Sequence, residues 1–128
     1  MTGAGERRID RLSAAAALFS GLWRADGEVA GIAYLADDDR LVALRLIRGD
    51  ADRVAVPPRT LTLDALAFGA NAIIVAHNHP SGDAQPSHHD LAHLRCVART
   101  LKALDIRLVD HLIVTRDKIT SLRALGIM

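Results

Sequence analysis

The run Asn71-Ala72-Ile73-Ile74-Val75-Ala76-His77-Asn78-His79-Pro80-Ser81-Gly82-Asp83-Ala84-Gln85-Pro86-Ser87-His88-His89-Asp90 decides the fold and points to the chemistry. Its apolar opening is too short for a helix and rich in branched residues, the pattern of a strand buried on both faces. His77 and His79 follow directly. In extended backbone, side chains two residues apart point the same way, so both imidazoles leave the strand end on one side and can close on one ion. Pro80 ends the strand, and Gly82 and Pro86 shape a turn.

Ser87 opens the next helix, whose apolar positions Leu91, Leu94, Val97, Ala98, Leu101 and Leu104 recur at helical spacing. Asp90 sits in its first turn, where it can look back at the strand end. A His77, His79, Asp90 set leaves a fourth tetrahedral position for water, which separates a catalytic Zn2+ site, one per chain, from a closed structural one. Ser87-x-x-Asp90 is also a capping-box pattern, in which both side chains serve the helix's own first N–H groups. The two readings overlap, because a serine oxygen can accept from a backbone N–H while its own hydrogen remains free to donate.

His77-x-His79, seven residues, Ser87, two residues, Asp90 resembles the JAMM motif of JAB/MPN metallopeptidases. The fuller string His77-Asn78-His79-Pro80-Ser81-Gly82, with Pro86-Ser87 and Asp90, resembles the RadC branch of that superfamily. Pro58-Arg59 and Asp110-His111 extend the resemblance, which covers roughly residues 26 to 125. It implies an α/β fold of the JAB/MPN, cytidine-deaminase-like kind, a mixed β-sheet flanked by helices. It further implies a catalytic glutamate on an early strand. The chain has two glutamates, Glu6 and Glu28, and Glu28 heads the strand-like Val29-Ala30-Gly31-Ile32-Ala33-Tyr34-Leu35, so Glu28 is the match.

At 128 residues the chain suits one domain with a single core. A net charge of +1 and four aromatic residues, Phe19, Trp23, Tyr34 and Phe68, argue against nucleic-acid binding, and no stretch approaches a membrane span. Cys96 is alone, so neither an intrachain disulfide nor a thiolate zinc cluster can form. Its apolar neighbours suggest a buried, inert thiol, and a reducing cytoplasm fits.

Residues 6 to 24 set Ile9, Leu12, Ala16, Phe19 and Trp23 at helical steps, predicting an amphipathic N-terminal helix within residues 1–25, ahead of the RadC-like domain at 26–128. Its stripe would pack on that domain or on a partner chain, which leaves a homodimer open. Asp26-Gly27 turns into the Glu28 strand, Asp37-Asp38-Asp39 is a second turn, and Arg40 to Arg48 pairs back as a hairpin. Val54-Ala55-Val56 reads as a short strand, Pro58 to Gly69 as a helix covering the sheet, and Asp105 to Val114 and Lys118 to Ser121 as closing strands.

The chemistry expected of these residues is hydrolysis of a peptide or isopeptide bond in a peptide or protein substrate. Zinc on His77, His79 and Asp90 would acidify a water, Glu28 would move its proton to the leaving amine, and Ser87 would donate to the oxyanion. His111 reads either as a partner orienting a ligand or as a histidine satisfied at the sheet end. Asn78 points away from its two neighbours and ties down a loop, and His93 falls on the helix surface. Two other readings are a DNA-repair accessory protein and a non-catalytic interaction domain. The RadC branch commonly carries an upstream helix-hairpin-helix segment, and about 25 residues before Glu28 are too few for one. Zinc nucleobase deaminases are excluded by the missing Pro-Cys-x-x-Cys ligands.

Overall fold

Branched and small apolar residues build the middle of a five-stranded sheet in the computed structural model, which describes residues 7–49 and 56–128. The described elements are α1 (Leu12–Phe19), a 3-10 turn (Ser20–Arg24), β1 (Val29–Leu35), β2 (Leu41–Arg48), α2 (Pro58–Phe68), β3 (Ala72–Asn78), α3 (His88–Ala103), β4 (Arg107–Val114) and β5 (Ile119–Ser121). Sheet order is β2-β1-β3-β4-β5. The β3/β4 pair is parallel and every other pair antiparallel. A parallel pair needs a long crossover, and α3 supplies it.

Every residue of β1 and β3 is buried, because helices cover both faces of the sheet. Alternation divides them. Ala30, Ile32, Ile73 and Val75 pack beneath Leu61 and Ala65 of α2 and Leu94, Val97 and Leu101 of α3. Ala33, Leu35, Ala72, Ile74 and Ala76 face Ile9, Ala15 and Phe19 on the other side. The result is the helix, sheet, helix layering expected of a mixed α/β fold.

Gly31 is where the second layer closes. A Cβ at that position would lie 2.7 Å from Phe19 Cε1 and 2.8 Å from Cδ1. The Phe19 ring is 2% exposed and has little room to withdraw. Gly31→Ala is therefore expected to destabilise the fold by about 1–3 kcal/mol through overpacking. Denaturant unfolding checks this, and an unchanged midpoint would show that α1 yields.

Two expectations need correction, and a third falls mostly outside the described residues. Among the described residues the expected 6–24 helix begins only at Leu12, running as α-helix to Phe19 and as a 3-10 turn to Arg24, and residues 7–11 are not helical. Residues 7–9 are extended instead: the Ile9 N–H donates to Asp39 O (2.9 Å) and the Leu41 N–H to Arg7 O (2.7 Å), joining this segment to the β1–β2 turn. The buried set is consequently Ile9, Ala15 and Phe19, while Leu12 and Trp23 are 47% and 36% exposed. Cys96 is exposed, because it falls off the Leu94, Val97, Leu101 stripe that faces the sheet. Of the expected strand at 54–56, residues 54 and 55 lie outside the described residues, and Val56 is buried but not in a strand.

Candidate metal centre

β3 extends through Asn78, so His77 is still a strand residue. The His79 N–H donates to Val114 O (3.0 Å), carrying the pairing with β4 one step further. Extended backbone at both positions puts the two imidazoles on one side, as their spacing predicts. Their Nε2 atoms are 2.9 Å apart. The Asp90 carboxylate closes the group, with Oδ1 3.3 Å from His77 Nε2 and Oδ2 3.1 Å from His79 Nε2. One ligand atom from each of the three lies within 4.8 Å of the others. His77 is 4% and Asp90 9% exposed.

The capping box is also present, and it serves the site. Ser87 Oγ accepts from the Asp90 N–H (3.0 Å), and Asp90 Oδ2 accepts from the Ser87 N–H (2.8 Å). The helix start thereby fixes the carboxylate facing the strand end. Ser87 Oγ, in an exposed residue at the rim, spends a lone pair on this bond and keeps its hydrogen to donate.

Proton placement matches a metal-binding donor set. His79 Nδ1 lies 2.7 Å from Asp83 O, and a carbonyl only accepts. The neutral ring must therefore carry its hydrogen on Nδ1 and present a lone pair at Nε2. His77 Nδ1 lies 2.7 Å from His111 Nε2, and with its hydrogen on Nδ1 the His77 ring likewise presents a lone pair at Nε2. Two imidazole lone pairs and a carboxylate are the donors that suit a divalent first-row ion. The Pro80 to Pro86 segment folds around His79: Gly82, at φ 85°, donates its N–H to His79 O (3.0 Å) and brings the Asp83 carbonyl under the ring.

Electrostatics follow the same contacts. Burial acts to raise the Asp90 carboxyl, but the adjoining rings of His77 and His79, whose protonation the carboxylate favours, and the hydrogen bond from the Ser87 N–H outweigh it and hold Asp90 well below the usual carboxylate range. The bond to Asp90 raises His79 above its ordinary value, against opposing burial.

His111 reaches the site through a bulge. Leu108 lies opposite Ile73 but Asp110 opposite Ile74, leaving Val109 as the extra residue. That one-residue slip turns His111 to the face of Val75 and His77. Asp110 holds the slip by accepting from the N–H groups of His111 (2.8 Å) and Arg123 (3.1 Å) and from Ser121 Oγ. Its 2.7 Å contact with His77 Nδ1 is the contact that the orienting reading of His111 requires.

Burial, with the neighbouring charges of His77 and His93, pushes His111 down from 6.5 to about 3. Between those values the unfolded chain binds a proton that the folded chain refuses, so this group's contribution is intact above 6.5 and declines as pH falls. Metal-free wild type is thus expected to lose stability relative to His111→Gln between pH 7 and pH 4. Thermal unfolding of both proteins checks it, and parallel pH profiles would contradict it. The comparison isolates His111 from His79, whose raised value acts with the opposite sign.

Glu28 is buried immediately before β1, and its carbonyl accepts from the Gly49 N–H (2.9 Å). Ala30 pairs with His77, so Glu28, two residues earlier, falls on the same face of the sheet. Its charge favours the protonated form of His79. His88 is exposed, and His89 is half-buried beside the three-residue group without belonging to it. His93 is not a free surface residue: it is half-buried, with Nε2 2.6 Å from Val56 O. The sequence could not reveal the Asp83 carbonyl, because backbone atoms leave no residue signature.

A family model described as RadC-like JAB domain matches residues 9–127. A UPF0758 protein of Bordetella avium is 45% identical over 96 residues, 74% of this chain and 43% of its own length. UPF0758 proteins of Polaromonas sp. and Cupriavidus taiwanensis are 37% identical over 102 residues and 47% over 90, covering 79% and 70% of this chain and 46% and 40% of theirs. The chain therefore spans less than half the length of these relatives. Among the described residues no helix is long and apolar enough to cross a membrane.

Proposed function

Because the chain belongs to the RadC-like JAB domain family, we propose that it is a zinc-dependent hydrolase of peptide or isopeptide bonds, using His77, His79 and Asp90 as metal ligands and Glu28 and Ser87 as catalytic residues. The observation that carries this reading is the convergence of two imidazole Nε2 atoms and a capped carboxylate at the end of a buried strand, with a buried glutamate on the same face. Zinc held there supplies a Lewis acid that polarises the scissile carbonyl and lowers the pKa of a bound water toward ~7.

The chain's own residues do the rest. Glu28 takes a proton from the attacking water and delivers it to the leaving amine nitrogen. Ser87 donates from Oγ to the carbonyl oxygen as negative charge grows there. Asp83, through its carbonyl, and His111, through its ring, keep the hydrogens of His79 and His77 on Nδ1, as outer partners of metal-binding histidines do. The substrate is a peptide or protein, and a chain with one cysteine suits a reducing cytoplasm. The test is a screen of metal-loaded protein against peptide and isopeptide substrates. Cleavage that requires metal supports the reading, and bound metal without cleavage of any substrate would favour a non-catalytic interaction domain.

A further inference from the structure

We infer that Asn78 is a positioning residue whose buried carboxamide sets Glu28 against the His77 and His79 pair. The inference rests on the reading of Glu28 as the group that moves the water proton. Asn78 is fully buried, and its side chain leaves β3 on the face opposite to the two imidazoles. Oδ1 accepts from the Val29 N–H at 2.7 Å, and Nδ2 donates to Gly27 O at 3.0 Å. Those partners are the two residues flanking Glu28. One side chain therefore grips both neighbours of Glu28, while its own backbone is bonded directly to His77 and His79.

The register explains why a side chain is needed there. β1 and β3 pair from Ala30 opposite His77 upward, and continuing that ladder would set Val29 opposite Asn78. Pairing stops short of that step, and the carboxamide bridges it. The two partners also dictate the residue. A backbone N–H must find an acceptor and a backbone carbonyl a donor, and a carboxamide offers one of each at fixed spacing. Aspartate has no donor when ionised, serine and threonine are too short to span both partners, and glutamine is one methylene too long. Without the amide, a buried N–H and a half-buried carbonyl lose partners on either side of Glu28.

The chain contains two glutamates, which makes the test direct. With glutamate labelled by 13C at Cδ, the protein gives two side-chain carboxyl resonances, and the one lost in Glu28→Gln belongs to Glu28. Loading with Mn2+ broadens each resonance according to a steep inverse power of its distance from the ion. In wild type the Glu28 resonance is expected to broaden strongly. In Asn78→Ala, Mn2+ affinity should persist while the broadening of Glu28 falls severalfold. A merely structural role would leave that broadening in place. Should Asn78→Ala fail to fold, Asn78→Thr, which suits a strand but cannot reach both partners, is read in the same way. Metal retained with unchanged Glu28 broadening would overturn the inference alone. A wild type that takes up no metal would overturn it together with the reading it rests on.

Discussion

Glu28→Gln is expected to cut turnover of any peptide or isopeptide that the wild type cleaves by ~10²–10⁴, the usual contribution of a positioned acid–base group, while bound metal stays at one equivalent per chain. The substitution keeps the size of a side chain in a residue that is 8% exposed, so the core around it has no reason to collapse. It removes the charge and the capacity to hold a proton. Glu28 is absent from the group His77, His79, Asp90 that gathers ligand atoms, which is why metal content should not follow activity down. Single-turnover hydrolysis beside elemental analysis separates the two. Loss of metal in the variant would make Glu28 part of the ligand set, and unchanged turnover would move the proton to another group.

Asp90→Asn should cost more than ~10²-fold in metal affinity, exceeding what is lost when an outer hydrogen-bond partner of a ligand is removed. Asparagine keeps an oxygen able to accept the Ser87 N–H, so the helix start survives and only the charge facing the two imidazoles goes. Asp90→Ala removes both, and is expected to be less stable than Asp90→Asn by about 1 kcal/mol, as for loss of a helix cap. Competition with a chelating dye gives the affinity, and thermal unfolding of metal-free protein gives the stability. Equal affinities in wild type and Asp90→Asn would show that the ion sits elsewhere, while an Asp90→Asn protein as unstable as Asp90→Ala would tie the cap to the charge.

Much of this was legible in the sequence wherever a rule of local backbone geometry applied. The branched run from Ala72 to Ala76 reads as a buried strand because its length and residue types allow little else, and His-x-His at its end inherits the strand's two-residue period. Ser87-x-x-Asp90 carries two readings in one pattern, and the structure realises the cap in a form that aims the carboxylate at the histidines. Longer-range choices were less legible. The apolar stripe from Ile9 to Trp23 fits a helix, yet residues 7–9 gain more by hydrogen bonding to the β1–β2 turn, and helical spacing says nothing about such an offer. His111 shows the limit most clearly. Strict alternation from Leu108 would put it on the wrong face of the sheet, and only the extra residue Val109 corrects that. The sequence places Asn78 at a loop it can tie down, and nothing in its neighbours along the chain names Gly27 and Val29 as its partners, 51 and 49 residues away.

Which nitrogen of each histidine meets the ion decides whether these residues form a metal centre. Nitrogen-15 correlation spectra of zinc-loaded protein, taken beside its metal content, resolve Nδ1 from Nε2 in every ring. The expected result is one zinc per chain, with His77 and His79 bound through Nε2 and protonated at Nδ1 toward His111 and Asp83. No zinc, or zinc held by the exposed His88 while His77 and His79 keep their metal-free spectra, would contradict it.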